Sequence, residues 1–432
     1  MTKEKTIHFA LLGLGKLGSG FVRVLKEKTA MIREETGIAL NLKKILIKNP
    51  HFNRPAYVDK NLLTTNVEDI IRDKSISIAV DAIGGIEPIF SIIKTLMENK
   101  IHLVSANRVL LASKMHELVH LANKNKIYIF PEASLGGGIP IINILKRDLV
   151  ANKIRSLAGI LSGTSNFILS EMTRRGLPMK EILKLPEIQN LSESLSVIDY
   201  EGADAAQKVA ILAAVAFGIN VNFLHIHAEG ISDVSAEDIR YVGELGYEIK
   251  LLAIMKDHPR QFEIRVHPTL VPKGHPFTAV RGEYTAVLVE TDLLGDYIIH
   301  GKGVGIEASS SLIIRDIINL AKVILNGQHN DPYRLDWNEK SVKPMEEIIS
   351  SYYIRFPCQD RPGVIGLIAT VLGKHKINIG SAHAQVDYDS PSKMGFVHIL
   401  IDHARENDIT MALTEIAQLD IIRGRIKLYR IL

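Results

Sequence analysis

The residues Gly13-Leu14-Gly15-Lys16-Leu17-Gly18 place glycines at the spacing G-x-G-x-x-G. They follow an apolar run at 7–12 and open a helical pattern of Phe21, Val22 and Leu25. In that context the first glycine turns the chain, the second lets backbone approach a pyrophosphate, and the third packs helix on strand. The helix start, with Lys16 and Leu17 in its first turn, offers free N–H groups and a positive dipole end to the phosphates. A plain glycine turn is the bland alternative, and the strand and helix on either side argue against it. Dinucleotide choice is read at the end of the second strand, Ile47-Lys48-Asn49-Pro50. No acid stands there to bind the ribose 2′-OH of NAD, whereas Lys48 suits a 2′-phosphate. That favours NADP over NAD, with a solvated loop lysine as the alternative.

Other constellations are less specific. Asp204 and Lys208 are four residues apart on a helical pattern, so they share a face; on spacing alone they are an ordinary ion pair. Ser105 and Asn107 end a strand, at the edge where ligands of open α/β sheets bind, and Gly84, Gly85 and Gly303 permit close backbone approach. His225, His227 and Glu229 alternate as zinc ligands on a strand would, with nothing nearby to complete a set. Asp360-Arg361-Pro362-Gly363-Val364 puts Pro and Gly at a helix start after a strand, where N–H groups can hold a carboxylate.

These residues sit in a chain of 432 residues, long enough for two or three cores. Lys+Arg number 52 against 48 Asp+Glu, a formal charge of +4, which gives no footprint for nucleic acid. Hydrophobic residues make up 46% and charged residues 23%, which excludes a disordered chain. Cys358 is the single cysteine, so no disulfide framework exists and a reducing, cytoplasmic setting is expected. The first apolar run ends at Gly13 without a cleavage site, and no stretch approaches a membrane span, so neither a signal peptide nor membrane insertion is expected.

Continuous apolar runs at 7–12, 42–47, 76–80, 101–104 and 127–130 alternate with helical periodicities, the pattern of a doubly wound parallel sheet. Residues 1–138 are therefore expected to form a Rossmann-type domain. Residues 139–300 read as an α+β domain with strands near 154–161, 262–266 and 285–290 and a helix at 204–217. A helix near 309–325 follows Gly301, Gly303 and Gly305, and this returning segment, about 301–325, is expected to complete the first domain. Residues 326–350 have a linker composition. Residues 351–432 read as strand, helix, strand, strand, helix, strand, the ferredoxin-like βαββαβ plan, with a last strand expected over 421–431.

The order of motifs resembles the homoserine dehydrogenase family. The matching pieces are GLGKLG (13–18), AIGGIEP (82–88), VSANR (104–108), FPEASLGGGIP (130–140), SGTSNFIL (162–169), EGADAAQK (201–208), HPFTAV (275–280) and GKGVG (301–305). DRPGVIG (360–366) resembles the first strand–helix loop of an ACT domain. The resemblance implies an overall α/β enzyme with a Rossmann-type sheet, a central catalytic and dimerisation domain and a C-terminal ACT domain. It implies reversible NAD(P)H reduction of aspartate 4-semialdehyde to L-homoserine, in threonine and methionine biosynthesis, by a homodimer or homotetramer. Lys208 takes the place of the family's catalytic lysine, held by Asp204, and a positioned ammonium suits an aldehyde reduction because the developing alkoxide needs a proton. Glu193 and Asp199 match substrate-binding positions, and Gly84, Gly85, Ser105, Asn107, Arg108 and Gly303 lie around the cofactor. Glu132 with the carbonyls of Leu135, Gly137 and Ile139 matches a structural sodium site. Asp360, Gly363, Val364 and Asn378 match an amino-acid effector site, with L-threonine the expected ligand.

The chain departs from the family at several places. Arg108 stands where the family has a lysine, Gln207 replaces an arginine, an Asp-Pro is missing after Glu193, and Asp81 replaces a more usual Glu. Arginine stays protonated and cannot act as a base, which narrows proton transfer to Lys208. These departures keep two alternatives open: an impaired homologue that senses cofactor or amino acid, and a dehydrogenase of another semialdehyde.

Overall fold

A computed structural model of the chain describes residues 5–191, 200–327, 335–386 and 394–432. The first six strands are β1 (Lys5–Leu12), β2 (Ile38–Leu46), β3 (Leu63–Thr64), β4 (Ile76–Asp81), β5 (His102–Ser105) and β6 (Ile129–Phe130). They form one sheet in the order β3-β2-β1-β4-β5-β6, parallel throughout. The second half of β1 is unbrokenly apolar because both its faces are covered: Phe9, Ala10, Leu11 and Leu12 are all fully buried. The helices α1 (Lys16–Thr36), α2 (Ile89–Glu98) and α3 (Arg108–Asn125) connect its strands. Because the chain winds outward from β1 in both directions, a crevice opens at the carboxyl ends of β1 and β4.

The central and C-terminal parts share a second sheet. Its strands are β7 (Ile154–Ile160), β8 (His227–Ala228), β9 (Tyr247–Asp257), β10 (Gln261–Pro272), β11 (Tyr284–Thr291), β12 (Asp296–Lys302), β13 (Ser341–Val342), β14 (Ile349–Gln359), β15 (Ile379–Val386), β16 (Met394–Arg405) and β17 (Lys427–Ile431). The main path runs β12-β11-β7-β9-β10-β17-β14-β16-β15, with β8 and β13 also paired to β10. Helices α4 (Gly163–Arg175), α5 (Ala203–Phe217) and α6 (Ala236–Glu244) belong to the central part, and α7 (Ile306–Leu325) packs back on α1. Gly20 of α1 is required there, since a Cβ would lie 2.0 Å from the Ile306 side chain. β9 escapes the sequence reading because residues 249–255 are all buried, so no alternation marks it.

The C-terminal unit has the expected order β14, α8 (Val364–Lys374), β15, β16, α9 (Glu406–Ile416), β17, around a core that includes Ile354, Phe356, Ile368, Leu372 and Ile409. Its last strand is shorter than expected. The expected start does lie along β14, with Ile422 bridged antiparallel to Cys358 and the Arg423 N–H on the Pro357 carbonyl at 2.9 Å, but the ladder is interrupted around Gly424 and regular pairing resumes at Lys427. The unit is also no free-standing appendage. β17 pairs in parallel with β10 (Thr269 with Arg430, Leu270 with Ile431), and Tyr353 and Tyr429 belong to the main core of the molecule. Part of the expected linker, 328–334, lies outside the described residues; β13, beyond it, is laid on β10. Among the described residues no helix is long and apolar enough to cross a membrane.

Candidate functional site

The glycine loop has the form its motif requires. Gly13 has φ +94°, and a Cβ on it would lie 2.6 Å from Ile83 across the crevice. A Cβ on Gly18 would meet the Gly13 carbonyl oxygen at 2.2 Å, so only glycine lets the helix sit this close to the turn. Gly15 has nothing within 4 Å of its Cβ position and caps α1 without a side-chain bond. The open side of the loop and the helix start therefore form a cradle that fits a dinucleotide pyrophosphate. Lys16 is exposed and Leu17 half-buried at its edge. Lys48 is exposed just past β2. Sequence reading missed Arg54, whose guanidinium donates to the carbonyls of Leu14 (2.9 Å) and Asn49 (3.2 Å) and so ties the loop to the end of β2.

The opposite wall is built on Asp81, the last residue of β4, which is fully buried. Its carboxylate accepts the Ile83 N–H (2.9 Å) and the Ser105 hydroxyl (3.1 Å), and the Ser105 oxygen accepts the Asn107 N–H (3.2 Å). Asn107 caps α3 through Leu110 N–H and donates to the Gly85 carbonyl at 2.8 Å. Ser105 and Asn107 are thus buried props of the wall, while Gly84 and Gly85 form its exposed surface. Burial pushes the Asp81 carboxyl up to about 7, against the pull of the Ile83, Ser105 and Asn107 hydrogen bonds. A raised carboxyl binds its proton more tightly folded than unfolded, so Asp81 costs stability as pH rises from about 4 to about 7. Asp81→Asn is expected to flatten that part of the stability profile, raising the urea midpoint at pH 8 relative to wild type and not at pH 4.

Lys208 sits at the junction of the two sheets, 5% exposed. Its Nζ lies 2.9 Å from Asp204 Oδ2 and donates to the Leu161 carbonyl at 2.6 Å, an acceptor that no motif signals. Asp204 also pairs with Arg108, and Arg108 Nε donates to the Ser134 carbonyl at 3.3 Å. Arg108, the first residue of α3, therefore faces the central part and shares the carboxylate that holds Lys208. The loops here meet backbone to backbone. A Cβ on Gly137 would be 2.9 Å from the Gly303 Cα, and one on Gly303 would be 3.2 Å from the Gly163 Cα. These contacts close the floor of the crevice beside Lys208.

Glu132 is buried and its carboxylate is fully engaged. It accepts the N–H groups of Ile142 (2.7 Å) and Asn143 (2.8 Å) and pairs with Arg315 at 2.6 Å. Burial pushes Glu132 and its neighbour Asp316 above the ordinary carboxylate range, with Arg315 acting against it. The Glu132 carboxylate is thus held by protein donors, two from the main chain and one from α7. No cluster of three or more His, Cys, Asp or Glu side chains suited to a metal occurs among the described residues. The zinc alternative fails on the same ground: His225 lies in a helical turn, and Glu229 is held by His227 (2.7 Å) and Arg430 (2.9 Å).

In the C-terminal unit a cavity of about 210 Å³ is lined by Asp360, Gly363 and Val364 of the strand–helix loop together with Ala384 and Phe396. Asn378 does not line it. Glu193 and Asp199 lie outside the described residues.

Family models match along the chain: homoserine dehydrogenase, NAD binding domain, over 13–132; homoserine dehydrogenase over 140–318; and ACT domain over 352–419. The homoserine dehydrogenase of Synechocystis is 36% identical over 99% of this chain and 100% of its own length. That of Bacillus subtilis is 31% identical over 99% and 98%. A crystal structure of the enzyme from Thiobacillus denitrificans superposes with a TM-score of 0.90 at 34% identity, covering 99% of this chain and 98% of that one.

Proposed function

The chain belongs to the homoserine dehydrogenase family, NAD(P)-dependent oxidoreductases, and on that premise we propose that it interconverts L-homoserine and L-aspartate 4-semialdehyde with Lys208 moving the proton and NADP the preferred cofactor. The observation that carries the reading is the buried Lys208 ammonium, fixed by Asp204 and the Leu161 carbonyl at the floor of the cofactor crevice. When bound, the nicotinamide exchanges a hydride with the carbon that bears the substrate oxygen. Lys208 donates a proton to that oxygen in reduction and withdraws it in oxidation. Asp204 keeps the ammonium in place, and Arg108 keeps Asp204 in place. Burial at the sheet junction keeps water from competing for the proton. Glu193 and Asp199 complete this reading as the groups that bind the substrate's amino-acid end.

Purified protein that reduces NADP with L-homoserine, and oxidises NADPH with the semialdehyde, supports this function. Tight cofactor binding without turnover would overturn it in favour of a sensor. The NADP preference rests on Lys48 at the end of β2, with no acid beside it. Lys48→Ala is expected to raise KM for NADP about tenfold, the effect of roughly one charge-assisted hydrogen bond, and to leave KM for NAD unchanged. Steady-state kinetics with both cofactors checks this.

The same reading includes a structural sodium ion at Glu132 and the carbonyls of Leu135, Gly137 and Ile139. It also includes an amino-acid effector, L-threonine, at the Asp360–Val364 loop, supported by the cavity beside that loop. A homodimeric or homotetrameric, cytoplasmic enzyme of threonine and methionine biosynthesis is the setting in which such feedback operates.

A further inference from the structure

One edge of β10 is shared end to end by β8, from the central part, and β17, from the C-terminal unit. Where they meet, two charged side chains span the seam. Arg430, 3% exposed, donates through Nε to Glu406 in its own unit at 2.9 Å and through Nη1 to Glu229 in the central part at 2.9 Å. Burial works against the Arg430 charge, but Glu406 and Glu229 more than offset it. Burial likewise opposes the Glu229 carboxylate, and His227 and Arg430 overcome it. The pair is charged on both sides.

Beyond Glu229 the chain leads directly to the proton-transfer site. A Cβ on Gly230 would lie 2.4 Å from both the Tyr200 carbonyl oxygen and the Glu201 Cα, so this strand end rests on the segment before α5. The Ile231 N–H donates to the Tyr200 carbonyl at 2.7 Å. Gly202, the cap of α5 with φ +85°, returns the contact: a Cβ there would be 3.0 Å from the Glu229 carbonyl oxygen. Asp204 and Lys208 stand in the first two turns of that helix. Beside the contact lies a cavity of about 530 Å³ bounded by Glu201, Glu229, Asp233, Arg425 and Tyr429. The same segment is anchored in the main core by Ile231, fully buried, and Val234, so a displacement of Glu229 is passed to the Tyr200–Gly202 backbone rather than absorbed.

We propose that the Arg430–Glu229 pair is a positioning contact through which the C-terminal unit fixes the start of α5 and hence the placement of Asp204 and Lys208. Glu229 and Arg430 are positioning residues, and β17 is the element by which a change in the C-terminal unit reaches the active site. The inference rests on the proton-transfer role proposed for Lys208.

The test uses the full-length enzyme. Glu229→Gln keeps size and hydrogen-bonding atoms and removes the charge. It is expected to lower kcat with L-homoserine about tenfold and to shift the limb of the pH–rate profile that reports proton transfer, with KM for NADP unchanged. Arg430→Lys keeps a cation but cannot fork between two carboxylates, and it is expected to reproduce the loss. Arg425→Gln removes another ion pair across the same seam, to Asp233 at 2.6 Å, without touching the Gly230 contact, and should leave kcat within about twofold. A wild-type kcat and pH profile in both Glu229→Gln and Arg430→Lys, with Lys208→Ala inactive, overturns the positioning contact alone. Losses in all three seam variants that track melting temperature also overturn it. Turnover that survives Lys208→Ala overturns the underlying role of Lys208 and this inference with it.

Discussion

Lys208→Ala is expected to lower kcat for L-homoserine oxidation by about 10³-fold, within the range a positioned general acid–base contributes. The size follows from where the ammonium sits. Lys208 is 5% exposed, and its Nζ is fixed by the Asp204 carboxylate and the Leu161 carbonyl, so the variant loses a charged donor held in one geometry, for which a neutral water is a far weaker acid. The substitution also isolates chemistry from folding. Removing one partner of a buried ion pair normally strands the other charge at a cost of several kcal/mol. Here Asp204 retains Arg108, so the carboxylate is not left alone. Cofactor affinity, followed by NADPH fluorescence, should stay near wild type, because the glycine loop and Lys48 belong to the other sheet. A kcat within about tenfold of wild type would show that another group carries the proton.

Arg108 illustrates the reach of a sequence and its limit. Its identity is plain there, and it excludes a second lysine base. Its partner is not, because Asp204 lies on a helix of the other part of the chain and only the packing of α3 against α5 brings them together. The glycine motif is fully legible, since a turn, a close approach and a helix start are local and each demands glycine for its own steric reason. The roles of Ser105 and Asn107 are half legible. Their position at a strand end shows which crevice they serve, but the Asp81–Ser105–Asn107 chain that buries them depends on three separate segments. The motif around Glu132 suggests a carboxylate that binds a cation, and that carboxylate proves to be held by two N–H groups and Arg315, the last contributed by a helix far along the chain. The C-terminal unit is legible as a βαββαβ module because its periodicities are local. Its fusion to the central sheet is not, because the two-residue pairing of β17 with β10 leaves no pattern.

That fusion makes Asp238 the residue whose loss should weaken the fold most. Asp238 is fully buried at the third position of α6, where it closes a capping box with Ser235. The same carboxylate accepts Arg355 Nη2 at 2.5 Å and the Tyr429 hydroxyl at 3.0 Å, both from the C-terminal unit. Asp238→Ala removes the return half of the capping box, leaving the Ser235 hydroxyl on the residue-238 N–H, and strands Arg355, itself only 6% exposed, in the seam. A loss of about 3–5 kcal/mol is expected, read as a lower urea midpoint for the full-length chain. Asp238→Asn keeps a hydrogen-bonding side chain at the cap and should lose less. Asp233→Asn, at an ion pair across the same seam whose side chains are more than half exposed, should cost at most about 1 kcal/mol. Because Tyr353 and Tyr429 lie in the main core, unfolding of the two parts is expected as one transition that moves as a whole in Asp238→Ala. Two separated transitions, with only the C-terminal one shifted, would mean that the shared sheet does not couple them. Removing residues 351–432 would be a poor substitute for this test, since it strips β17 from β10 and leaves Asp238 and Glu229 without their arginines.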